Sequence, residues 1–172
     1  MTRLADLDYL PYLDAEGQMT PEFDGKVGVY AIFDSAKTLQ FIGYSRDVSV
    51  SLKQHLVRQP HNCYWMKVQT IDRPSRTVLE EMRAAWIAEN GETPVGNAAA
   101  EAEWNQPIDA KLTMTADEQA TYAAGDEMDR IKTLKKVARR VEAEVLTKLE
   151  ARGSKIPVRF DPKLKEKGLL NL

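Results

Sequence analysis

Hydrophobic and polar positions change period several times along the chain, and each change marks an element. Residues 1–26 are rich in Asp, Pro and Gly and read as an extended lead-in. Val27–Phe33 and Thr38–Tyr44 are rich in β-branched and aromatic residues and predict a hairpin folded about Ser35-Ala36. Val48, Leu52 and Leu56 then recur at helical spacing behind Asp47, a side chain suited to capping, so a helix runs to about Arg58. Cys63–Ile71 returns to strand character. After the turn at residues 72–75, Ser75 caps a second helix that extends to Asn90 and stops at Gly91. The order is ββαβα.

The pattern loosens over residues 98–114, an Ala- and Glu-rich stretch that contains Trp104 and reads as a linker. Thr115 and Glu118 form a capping-box pattern, predicting a short helix broken near Gly125. A long helix of about 40 Å follows from Asp126 to Arg152. Its apolar stripe is Ile131, Leu134, Ala138, Val141, Val145 and Leu149; Lys132, Lys135, Lys136, Arg139 and Arg140 lie on the other face. The expected organisation is a lead-in over 1–24, a small domain over 25–100, a linker over 101–114 and a helical extension over 115–172. The expected fold class is α+β, with a three-stranded sheet in the small domain and an α-helical C-terminal extension.

Composition narrows the classes. A chain of 172 residues holds one domain with extensions or two small domains. Cys63 is the only cysteine, which rules out an internal disulfide and a cysteine zinc cage. No run reaches the roughly 18 apolar residues of a membrane span, and MTRLADLDYL lacks a signal-like apolar core, so the expected compartment is cytoplasmic. Charge is uneven. Residues 101–129 hold 1 Lys/Arg against 8 Asp/Glu, whereas residues 130–172 hold 13 against 5. A polyanion should meet the C-terminal part first.

Candidate chemistry sits on the hairpin. Folding it about Ser35-Ala36 sets Gly28 opposite Gly43, Val29 opposite Ile42 and Tyr30 opposite Phe41, a pair of aromatics beside a pair of glycines. Gly-Val-Tyr, a ten-residue interval, Phe-Ile-Gly and a following helix with His55 resemble the GIY-YIG nuclease superfamily over about residues 25–97. The wording GVYAIFD, LQFIGYSRD and PVGN is closer still to the domain that precedes glutaredoxin in plant chloroplast monothiol glutaredoxins, and to cyanobacterial relatives. No Cys-Gly-Phe-Ser motif follows here. In a plant relative the compartment would be the chloroplast stroma.

The resemblance assigns roles by position. Tyr30 matches the tyrosine that helps to activate the nucleophile, Phe41 stands for the supporting second tyrosine, and Gly43 is the glycine that admits the backbone to the site. His55 lies where several family nucleases carry His or Tyr, and Asn97 matches the asparagine that closes the site. Two positions depart. Ser51 occupies the place of the phosphate-binding arginine, and Arg83 occupies the place of the metal-binding glutamate. A guanidinium repels a divalent cation where a carboxylate would hold it. Glu80, one turn away, is the carboxylate that would serve a metal if the site were active. Arg83, His55 and Tyr30 could instead form a metal-free phosphate clamp.

Each residue also has a plainer reading. Tyr30 and Phe41 make an ordinary aromatic cross-strand pair, His55 a half-buried histidine, Arg83 a snorkelling side chain, Asn97 a turn residue, and the basic helix face a solvated surface. Three functions stand open. One is a degenerate GIY-YIG-type domain that binds nucleic acid, DNA or RNA, or a nucleoprotein, with weak or no cleavage and no expected cofactor. Another is an active endonuclease using Mg2+ or Mn2+. The third is a protein-interaction scaffold docking through the C-terminal helix.

Overall fold

A computed structural model of the chain describes residues 2–172, in two compact units. The first is Met1–Gln106 with Arg152–Ile156, and the second is Pro107–Ala151 with Pro157–Leu172.

The first unit is built on an antiparallel sheet of strands β1 (Leu10–Pro11), β2 (Gly28–Phe33), β3 (Leu39–Ser45) and β4 (Trp65–Thr70), in the order β1-β4-β2-β3. The sheet therefore has four strands where the hydrophobic pattern predicts three. The extra strand comes from the lead-in, which is folded and pinned rather than merely extended. Glu89 accepts from the backbone N–H groups of Leu4 and Ala5 at 2.8 and 2.7 Å, and Trp86 Nε1 donates to the Thr2 carbonyl at 3.0 Å. Lys67 Nζ donates to the Leu4 carbonyl at 3.1 Å. Leu4, Tyr12 and Phe23 are buried. These anchors lie on separate short pieces, so no period announces them.

β2 is buried along its whole length because it is central and covered on both faces. Val29, Ala31 and Phe33 join Ile42 in a core with Leu79, Met82 and Trp86 of helix α2 (Arg76–Asn90). Tyr30, the alternate residue, points the other way, towards helix α1 (Val48–Arg58). The expected caps are present: Asp47 accepts from Val50 N–H, Ser75 accepts from Val78 N–H, and Gly91 takes φ 86° at the end of α2.

The hairpin register differs from the expected one. Tyr30 faces Gly43, Ala31 faces Ile42, and Gly28 faces Ser45. The turn is displaced because Asp34 accepts from the N–H groups of Ala36 and Thr38, and Lys37 adopts φ 63°. An irregularity between Ile32 and Phe33 completes the shift. Partners move by two positions, so Tyr30 and Phe41 keep a common face.

Residues 101–106, the expected start of a linker, belong to the first unit and hold helix α3 (Glu101–Asn105) with Trp104 buried. The second unit contains β5 (Ile108–Asp109), α4 (Ala116–Ala124), α5 (Glu127–Ala151), α6 (Pro162–Lys165) and β6 (Leu169–Leu170). The Thr115–Glu118 capping box forms, and β5 pairs with β6. α5 buries Leu134, Val137, Ala138, Val141, Val145 and Leu149. Ile131, expected in that stripe, is 36% exposed, while Val137, outside it, is fully buried. The buried face is rotated from the expected stripe towards Val137. No described helix is long and apolar enough to cross a membrane.

Candidate functional site: a sealed tyrosine–histidine pair

Tyr30 and His55 meet on the α1 side of the sheet. Their hydroxyl and Nε2 are hydrogen-bonded at 2.8 Å, between the middle of β2 and the second turn of α1. Gly43 makes the meeting possible: a Cβ there would lie 2.7 Å from the Tyr30 hydroxyl and 2.6 Å from the Phe41 ring. Phe41 packs its ring 4.6 Å from the imidazole and 6.1 Å from Tyr30, centroid to centroid.

Trp104 closes the group. Its indole stacks parallel on Phe41, with centroids 5.3 Å apart, and lies 5.6 Å from the His55 ring. Arg58, one turn along α1 from His55, donates from Nη1 to the Trp104 carbonyl at 3.0 Å. Gly96 lets this segment come close, since a Cβ there would meet the Gln40 carbonyl oxygen at 2.6 Å and the indole at 2.9 Å. The result is a wall. Tyr30 and His55 are each 3% exposed, Phe41 4% and Trp104 1%.

Burial sets the protonation of the pair. Loss of solvent drives the His55 pKa down to about 3, and the nearby Arg58 guanidinium adds to the fall. The Trp104 carbonyl favours a proton on the ring, but Nδ1 has no partner of hydrogen-bond geometry. Burial also pushes the Tyr30 phenol well up, although the Ser51 hydroxyl and the charges of Arg58 and Arg83 oppose it. Both groups are neutral near pH 7. A neutral phenol thus meets a neutral imidazole with almost no exposure of either ring to solvent.

Asn97 is brought to the same edge and acts there as a substitute strand. Its Oδ1 accepts from Ile42 N–H at 2.8 Å and its Nδ2 donates to the Ile42 carbonyl at 2.7 Å. Both backbone groups of an edge residue are thereby satisfied. Ser51, at the arginine position, donates to Ser45 Oγ at 2.7 Å, and Ser45 Oγ donates to the Asp47 carbonyl at 2.8 Å.

Arg83 and Glu80 belong to the other face. The Arg83 guanidinium lies 4.8 Å over the ring of Tyr44, which pairs with Val29 and packs on the α2 core. The clamp of Arg83, His55 and Tyr30 envisaged from sequence is not made by contact: Arg83 lies on Tyr44, and only its charge reaches the Tyr30 phenol. Glu80 Oε1 accepts from Arg76 Nε at 2.8 Å and from the Tyr44 hydroxyl at 3.1 Å. Those two bonds hold its carboxyl below the usual range. Among the described residues no three His, Cys, Asp or Glu side chains gather as a metal donor set. One carboxylate tied to one guanidinium and neighboured by another does not fit a divalent cation.

On the second unit the five predicted basic residues divide. Arg140 is engaged with Glu118 at 2.7 Å, Glu144 at 3.2 Å and the Thr113 carbonyl at 3.0 Å, and Lys135 pairs with Glu166 at 3.5 Å. Lys132, Lys136 and Arg139 are exposed and enter no ion pair among the described residues.

Sequence reasoning missed Arg58 and Trp104. A signal existed for the second, since a lone tryptophan in an Ala- and Glu-rich stretch is an anomaly. Nothing in the pattern marked Arg58.

No family model matches the chain. A curated relative, bifunctional monothiol glutaredoxin-S16 of the Arabidopsis thaliana chloroplast, is 33% identical over 98 residues. The match takes in 55% of this chain and 32% of the relative, so the chain spans about a third of that protein's length.

Proposed function

We propose that the first unit is a GIY-YIG-type domain that keeps the scaffold of a nuclease without its chemistry, and that the protein binds nucleic acid or a nucleoprotein with little or no strand cleavage. The observation that carries this reading is the Tyr30–His55 pair buried beneath Trp104. Phosphodiester cleavage needs an activated water, a reachable phosphorus and a charge to stabilise the leaving oxygen. Here the pair is neutral and enclosed, and Arg83 and Glu80 are occupied on the opposite face of the sheet. Loss of one electrostatic stabiliser alone raises a barrier by about 3–4 kcal/mol.

Nucleic acid is favoured over a purely protein partner by the unpaired cations of α5. A monothiol glutaredoxin role, as in the relative's name, does not transfer to the residues seen here. Cys63 is fully buried, and burial pushes its thiol well up. A plastid or cyanobacterial setting goes with the reading.

The test pairs cleavage with binding. Purified protein with Mg2+ or Mn2+ should nick supercoiled plasmid no faster than its Tyr30→Phe variant, while retaining a labelled duplex or single strand at low salt. Nicking by the unaltered protein that vanishes in Tyr30→Phe would establish the nuclease alternative instead.

A further inference from the structure

We infer that the outer face of α5, together with α6, is a seat for the phosphate backbone of a nucleic acid. This rests on the proposed nucleic-acid reading and names the surface that would do the binding.

At about 100° per residue, Lys132, Lys136 and Arg139 fall within about 60° of one another on α5. The buried residues from Leu134 to Leu149 centre on the opposite side. The stripe is thus the face of α5 turned furthest from its own core. α6 borders it, and Lys135, Arg139, Lys163 and Lys165 line a cleft of about 200 Å³ with Pro162 and Glu166.

Charge accounting decides what such a face can bind. Four carboxylates near it are taken by other cations: Glu166 by Lys135, Glu142 by Lys165 at 2.9 Å, and Glu144 and Glu118 by Arg140; Asp129 and Glu150, at the two ends of α5, enter no ion pair among the described residues. Asp161 accepts from the backbone of Lys163 as a helix cap. Lys132, Lys136, Arg139 and Lys163 remain without an acidic partner among the described residues. Four cations without an ion pair, against two such carboxylates at the helix ends, leave the middle of this surface positive, and it attracts a polyanion at long range and exchanges its counterions on contact.

The span fits a nucleic acid strand. From Lys132 to Arg139 the axial rise is about 10 Å, which at about 3.4 Å per phosphate covers about three phosphates of one strand. The surface has no aromatic platform and no amide side chain aimed outward, so it reads charge spacing and not base identity.

The experiment compares two triple variants of the full chain by fluorescence anisotropy with a labelled 20-mer duplex over about 50–200 mM salt. Lys132→Gln, Lys136→Gln, Arg139→Gln removes the stripe. Lys26→Gln, Lys53→Gln, Lys148→Gln removes equal charge elsewhere. The stripe variant should show a salt slope shallower by about 2.7, at about 0.9 per lost contact, with the control variant like the unaltered protein. If the unaltered protein binds and both variants keep its slope, the seat is elsewhere and this inference fails while the binding reading stands. If the unaltered protein shows no salt-dependent binding to duplex or single strand, the binding reading itself fails.

Discussion

The two faces of the central sheet each carry a tyrosine with polar neighbours, in opposite environments. Against α1, a phenol and an imidazole are packed among Phe41 and Trp104 and lose their access to water. Against α2, a phenol, a carboxylate and two guanidinium groups lie at the edge of the core: Tyr44, Glu80, Arg76 and Arg83. A hydrolytic site would combine members of both sets around one phosphate. Here the hydrogen-bonded pair is sealed and the charged group is exposed, and each is satisfied within its own face. Aromatic closure makes this pair part of the core, and desolvation holds both of its groups neutral.

Breaking the closure tests this contrast most severely. Trp104→Ala should lower the unfolding free energy by about 3–5 kcal/mol, the range for truncating a buried tryptophan, in urea denaturation. Arg83→Ala, on the other face, should cost far less. Equal losses would show that Trp104 is not part of a tightly packed wall.

Asn97 sharpens the boundary of the sealed face. Asn97→Ala leaves the N–H and carbonyl of Ile42 without their partners and should cost about 2 kcal/mol. Hydrogen exchange at the Ile42 amide should quicken by the corresponding factor. An unchanged exchange rate would mean that this edge of β3 needs no side-chain partner.

The third effect is a slope with pH. The His55 pKa falls from 6.5 to about 3 on folding, so between those values the unfolded chain holds a proton that the folded one does not. Stability contributed by keeping this ring neutral is complete above about pH 6.5 and is lost as pH falls towards 3. The loss is up to about 1.4 kcal/mol per pH unit. His55→Gln should flatten this part of the stability profile.

Much of the first unit was legible in the sequence because its signals are local. Asp47, Ser75 and Gly91 each fix a helix end by their own chemistry, and the Thr115–Glu118 pair does the same for α4. The hairpin was legible as two strands, but its register depended on how Asp34 and Lys37 shape the turn. β1 was hidden because two residues carry no period. Tyr30, His55 and Gly43 converge because spacing along one hairpin and one helix determines their approach. The role of Trp104 was not legible, because a contact between residues 41 and 104 depends on tertiary packing that no periodicity records. The division of Arg83 from Tyr30 required knowing which face each strand residue takes.

Titration of His55 by NMR tests the sealed pair most directly. The His55 ring signals should stay those of a neutral imidazole from pH 7 down to at least about pH 4.5, consistent with the value of about 3. A His55 that takes up its proton near 6.5 in the folded protein would show a ring open to water, and would contradict the sealed pair.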